Sequence, residues 1–220
     1  MSLTPIQYSA TTTRTTAGSS FTLTNFSSPV AAGNTILVCV ANYGVNLPTA
    51  SDDLGNVYTP DIINYYGAFV SVLRAENVVA GTPTITISTR INSGSVLYFA
   101  ACALECPPLK FAGVLSANTG TGTTATAGSI TTPSGSSLVI GVYGTDGAGS
   151  SSMSTSGFTR FGYVAGGSTE GFDAEYQVYG SPTTVNCTWT GISPWRACAL
   201  VYVAAPAAST GSETSFAMAG

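Results

Sequence analysis

The chain has 220 residues, a net charge of −4 and only 7% charged side chains, where a typical soluble domain carries about 25%. It has no histidine and one lysine, which excludes Ser-His and Cys-His nucleophile pairs, His-ligated zinc and a histidine pH switch. A sequence pI near 4.5 also argues against a nucleic-acid partner, because phosphates require a basic footprint.

Polarity is supplied instead by 27 Ser and 32 Thr, beside 25 Gly. The 44% hydrophobic content is too high, and the charge too low, for disorder by composition. The first residues, Met1-Ser-Leu-Thr-Pro-Ile-Gln-Tyr8, have neither a basic start nor an apolar h-region, so no secretory signal is expected. The longest apolar stretch, residues 95–104, is too short to cross a bilayer as a helix, and no membrane partner is expected.

Strand signals recur along the chain and helix signals almost nowhere. Alternation and β-branched or aromatic content predict strands over 20–24, 35–43, 68–74, 84–88 and 95–105, then over 137–143, 158–164, 172–179, 185–190 and 196–203. Gly, Pro, Asn and Ser clusters bound each of them. The spacing predicts an all-β, antiparallel β-sandwich, jelly-roll-like, of ten or more strands. Strands 95–105 and 197–203 are apolar on both faces and should be central. The Thr/Gly/Ala run 116–132 and the stretch 145–156 read as long loops. No tandem repeat and no composition break is evident, so residues 1–203 read as one sandwich domain and 204–220 as a flexible C-terminal arm.

Five cysteines, at 39, 102, 106, 187 and 198, include no CxxC and fit neither a zinc ribbon nor a secreted disulfide framework. Cys39 and Cys102 lie in apolar runs and read as small core residues. If Gly191-Ile-Ser-Pro194 closes a hairpin, Cys187 falls opposite Cys198, near disulfide reach. Two reduced core neighbours is the reading favoured without a signal peptide.

Enzyme chemistry would rest on carboxylates. Asp173 and Glu175, two apart on one strand face, have a spacing that permits a glycosidase pair. Their alternation against Phe172, Ala174, Tyr176 and Val178 instead predicts a solvated outer face beside Gln177. Ser51-Asp-Asp-Leu-Gly-Asn56, with Asp61, offers oxygens for a hard cation but lacks the calcium-loop spacing, and a tight turn at Asp52-Asp53 is preferred. Tyr65-Tyr66, Tyr179, Trp189 and Trp195 are candidate sugar-stacking aromatics, with Trp189 better read as core. These readings leave no catalytic, metal or cofactor residue to assign.

Several stretches have the order of a known pattern: Ala32-Gly-Asn-Thr-Ile-Leu-Val-Cys-Val40, Ser51-Asp-Asp-Leu-Gly-Asn-Val-Tyr-Thr59, the strand end Leu104-Glu105, Thr131-Thr-Pro-Ser-Gly-Ser-Ser-Leu-Val-Ile140 and Trp195-Arg-Ala-Cys-Ala-Leu-Val201. Together they resemble a recurrent β-sandwich module of phage structural and bacterial surface proteins. In that module a GNTLVV strand, an SDSxGNxY turn and a Glu-Tyr-Ser-Gly segment follow one another; here the last is Glu105-Cys-Pro-Pro108, a departure at Glu105. The resemblance implies a fold and a surface or virion setting rather than a reaction.

The expected function is therefore a non-enzymatic structural protein of a bacteriophage-like virion, a capsid decoration, minor capsid or tail component. It would be made in the host cytoplasm without a signal peptide. Its partners would be other virion proteins and copies of itself, with a trimer favoured, and Phe216 and Met218 of the arm would dock on a neighbour. The alternative is a carbohydrate- or receptor-binding module that meets a surface glycan. A hydrolase acting through Asp173 or Glu175 would need one of them buried in a cleft.

Overall fold

The computed structural model describes residues 2–14, 19–43, 47–62, 68–88, 99–145, 152–153, 155–165, 171–190 and 194–206. All secondary structure in these residues is antiparallel strand. In the first half of the chain the strands are β1 (Gln7–Tyr8), β2 (Thr12–Arg14), β3 (Ser20–Thr22), β4 (Thr35–Tyr43), β5 (Thr49–Ser51), β6 (Thr59–Pro60), β7 (Ala68–Ala75), β8 (Thr86–Ser88) and β9 (Phe99–Cys106). The second half carries β10 (Leu109–Gly120), β11 (Thr124–Thr131), β12 (Ser137–Thr145), β13 (Ser152–Met153), β14 (Thr159–Val164), β15 (Gly171–Tyr179), β16 (Thr184–Thr190) and β17 (Trp195–Ala204).

The strands form four sheets, ordered β1-β9-β4-β7-β6 with β2 also on β9, β10-β17-β12-β15-β14, β11-β16-β13 and β3-β8-β5. Three apolar cores separate them. Even-numbered β4 residues Ile36, Val38 and Val40 meet Leu23, Ile85 and Ile87 beneath the β3-β8-β5 sheet. Odd-numbered Leu37, Cys39 and Ala41 face the opposite way, onto Leu138, Ile140, Val142, Cys198 and Leu200. The other face of the second large sheet, Val139, Tyr143, Ala197, Ala199 and Val201, meets Ala125, Ala127, Val185, Cys187 and Trp189. The molecule is thus a stack of four sheets whose two inner ones are buried on both faces. That is why β9 and β12 have no polar alternation and every residue in them is buried.

Each half winds its strands in the same order. Numbering β1/β2 to β9 as positions 1 to 8, the sheets are 1-8-3-6-5 and 2-7-4; β10 to β17 give the same two orders. The sequence pattern predicts no repeat, and the structure corrects that at the level of topology. The shared sequence is short: Ala-Cys-Ala-Leu occurs at 101–104 in β9 and at 197–200 in β17. Its cysteines both point into the middle core and its alanines outward. Across the middle core β4 lies against β12, β7 against β17, and β9 against β15. Position 6 of one half therefore meets position 8 of the other, and the reverse, which is the pattern of a two-fold, isologous interface.

The two inner sheets approach closely because small residues line the contact. A Cβ on Gly144 would lie 2.9 Å from the Ala41 Cβ, and one on Gly162 would collide with the Cys102 sulfur. Polar contacts also join the halves: the Tyr202 hydroxyl donates to Asp61 at 2.8 Å, the Tyr163 amide donates to Thr11 Oγ1 at 3.0 Å, and the Leu109 amide donates to Thr35 Oγ1 at 2.9 Å.

Two further expectations need correction. Residues 116–132 are not a loop but the end of β10, a turn and β11, two strands that belong to different sheets. The inward positions of β11 are Ala125, Ala127 and Ile130, and the two alanines give little hydrophobic signal. Cys187 and Cys198 are not opposed, because β16 and β17 belong to different sheets. Cys187 pairs in register with Gly128 and Cys198 with Ala117 and Val142, and both thiols are free and buried. Most of 145–156, Tyr65-Tyr66 and residues 207–220, with Phe216 and Met218, lie outside the described residues.

Candidate functional site

Ten carboxylates occur in the chain, and Asp146, Glu170 and Glu213 lie outside the described residues. Each of the other seven has a bond within the molecule. Asp52 accepts from the Leu54 and Asn56 amides at 3.1 and 3.0 Å, from Asn56 Nδ2 at 2.8 Å and from the Tyr58 hydroxyl at 2.9 Å. Asp53 accepts from the Thr84 amide at 2.7 Å. The preferred tight turn is thus what these residues build, and no group of three or more metal-ligating side chains occurs among the described residues. Asp61 is held by Arg74 at 3.2 Å as well as by Tyr202, and Glu76 takes the other side of the Arg74 guanidinium at 3.0 Å. Burial raises the Asp61 carboxyl above the usual range, against the pull of Tyr202 and Arg74.

Asp173 and Glu175 are where sequence and structure differ most. The expectation of a solvated face fails because β11, β16 and β13 cover that side of the sheet. Both are buried, Asp173 completely. The sign of the alternation is right, since Phe172 and Ala174 point into the middle core; the opposite face is simply not solvent. Arg160 on β14, in register with Glu175, forks onto Asp173 through Nε at 3.0 Å and Nη2 at 2.8 Å and reaches Glu175 at 3.5 Å. Its guanidinium also lies over the Tyr163 ring, 4.3 Å from the centroid. Burial pushes the Asp173 carboxyl up to about 7, opposed by Arg160 and reinforced by the neighbouring Glu175.

Chemically this is a clamp in which two carboxyls share one guanidinium. A glycosidase needs its carboxyls about 5–9.5 Å apart with a sugar between them. Here both carboxyls are buried beneath a covering sheet and bound by the same arginine.

The fourth arrangement surrounds Glu105, at the end of β9 and fully buried. Its Oε1 accepts from the Ala31 amide at 2.9 Å and Asn34 Nδ2 at 2.6 Å, and its Oε2 from Gln7 Nε2 at 2.6 Å. None of the described cations pairs with it. A cavity of about 290 Å³ opens beside it, lined by Ile6, Gln7, Ser27, Ser28, Asn34 and Glu105 among others.

Of the candidate aromatics, Trp189 and Trp195 are buried and Tyr179 is packed at the edge of the third core. The sequence reading missed Arg160, Gln7 and Asn34. Arg160 had one usable signal, a cation on the strand next to the acidic pair. Gln7 and Asn34 had none, because their partner is about 70 to 100 residues away. Comparison with family models, with curated proteins and with solved structures finds no match to this chain.

Proposed function

We propose that this chain is a non-enzymatic structural component of a bacteriophage-like virion, packing against other virion proteins and copies of itself. The observation that carries this reading is the distribution of charge. The solvent faces of both outer sheets are made of Ser20, Thr22, Thr49, Ser51 and Thr86 on one side and Thr124, Thr126, Ser129, Thr131, Thr184, Asn186 and Thr190 on the other. Among the described residues, no strand of either outer sheet carries a charged side chain. Hydroxyl pairs such as Thr131–Thr184 at 3.1 Å and Thr126–Asn186 at 2.9 Å already satisfy part of their polarity.

Such faces lose little on desolvation, since isolated charges are what is costly to bury. The seven described carboxylates are occupied in turns, ion pairs and the Glu105 cradle. The strand orders 1-8-3-6-5 and 2-7-4, repeated in both halves, support a jelly-roll-like reading, an architecture common in viral shells and lectins. The resemblance of residues 30 to 203 to modules of phage and bacterial surface proteins points the same way. The test is assembly: the full chain should form a closed homo-oligomer, a trimer being favoured, in native mass spectra at micromolar concentration. A monomer across that range would overturn the reading.

A further inference from the structure

The two halves share a topology, so each serves as an internal control for the other. Both enter position 3 through a turn with a left-handed glycine two residues before the strand, Gly33 at φ 82° and Gly135 at φ 90°. In the first half that turn begins at Ala31, whose amide binds Glu105. The matching residue of the second half is Pro133, which has no N–H, and the matching end of β17 holds Val201, Tyr202 and Val203. The same topology closes in the second half without a carboxylate at this position. The buried acid, its three donors and the open cavity beside it therefore ask for an explanation beyond folding.

We propose that this cavity is a binding site for one neutral, hexose-sized saccharide unit. Its volume, about 290 Å³, is at the lower end of small-molecule sites and suits a single ring. One wall is apolar, with Ile6, Pro29 and Ala31, and suits the C–H face of a sugar; the remainder is hydroxyl, amide and carboxylate from Ser27, Ser28, Gln7, Asn34 and Glu105.

Vicinal hydroxyls both donate and accept, and this wall supplies both functions. Glu105 Oε2 receives only Gln7 among the described residues and retains acceptor capacity for a charge-assisted bond. Gln7 is fixed on both ends of its amide: Nε2 also donates to the Ser28 carbonyl at 3.0 Å, while Oε1 accepts from the Ser28 amide at 3.1 Å and the Ser27 hydroxyl at 3.3 Å. The polar groups are therefore held before any ligand arrives, which lowers the ordering cost of binding. An anionic sugar is disfavoured, because the one charged group lining the cavity is itself an anion with no described cation beside it.

The site is independent of the assembly reading, and one experiment separates the two. The ¹⁵N-labelled full chain is titrated with the methyl glycosides of glucose, galactose and mannose and, separately, with a methyl sialoside. At least one neutral glycoside should shift the Asn34 and Gln7 side-chain amide signals saturably, with a dissociation constant roughly in the millimolar range, while the sialoside leaves them in place. Ile6→Trp fills the rim of the cavity without touching the Glu105 bonds and should weaken binding at least tenfold, with the oligomeric state unchanged. Glu105→Gln, where it folds, should do the same. Absence of any saturable shift, equal shifts with the sialoside, or undiminished binding by Ile6→Trp would each overturn the site. Loss of the oligomer with sugar binding intact would instead remove the virion reading and leave the site standing.

Discussion

The two halves of this molecule wind eight strand positions in one order and fill them differently. At position 7, the middle of each outer sheet, the first half places Ile87 between Phe21 and Ala50, whereas the second places Trp189 beside Ala125. The large side chain has moved from one strand to its neighbour while the layer remains filled. At position 6 the outward side chains are Ser71, Leu73 and Ala75 in one half and Asp173, Glu175, Gln177 and Tyr179 in the other. An apolar cover suffices for the first; the second required Arg160 to hold its carboxyls. What the halves share is the strand order; what differs is how each layer is filled.

The comparison can be broken most forcefully at Trp189. Trp189→Ala should cost about 3–5 kcal/mol, read as the shift of a denaturant midpoint. If the outer layers open separately, amide exchange should quicken in β11, β13 and β16 and stay unchanged in β3, β5 and β8; uniform quickening would show that the stack unfolds as one unit. Next in size is Glu105→Ala, which leaves the Ala31 amide, Asn34 and Gln7 without their acceptor and should cost about 3 kcal/mol. The loosened amides should lie in the first half alone. Gly144→Val drives the inner sheets apart against Ala41 and Val70 and should cost about 2 kcal/mol, lowering the melting temperature by roughly 4–8 °C.

The smallest effect is one of pH. Asp173 titrates higher in the folded chain than unfolded, chiefly because it is buried. Its contribution is therefore complete below the unfolded carboxyl range and is lost as pH rises from about 4 through about 7. Melting temperature should decline over that window in the wild type, and Asp173→Asn should flatten the decline; an unaltered slope would place the titration elsewhere.

Strands with strong side-chain signals were legible in the sequence. Residues 35–43 are β4 with the same ends, and the doubly apolar stretches proved to be central strands buried on both faces. The strands β10 and β11 were not legible, because Thr, Ala and Gly make a strand only when a neighbour such as Trp189 supplies the bulk. Nor was the duplication, since layers filled by different residues keep their order while losing sequence likeness. The tight turn at Asp52 could be read because its partners are local. The Arg160 clamp could not, because a face that alternates as polar looks the same whether water or another sheet covers it; nor could the Glu105 cradle, whose side-chain partners lie 71 and 98 residues away in sequence.

On the proposed function, the uncharged, hydroxyl-covered outer faces pack against neighbours. Sedimentation velocity of the full chain at low and high salt tests it most directly. The account predicts an oligomer, with the trimer favoured, whose sedimentation coefficient does not change with ionic strength, because no charge pairs hold its interfaces. A monomer at every concentration, or an assembly that salt dissolves, would contradict it.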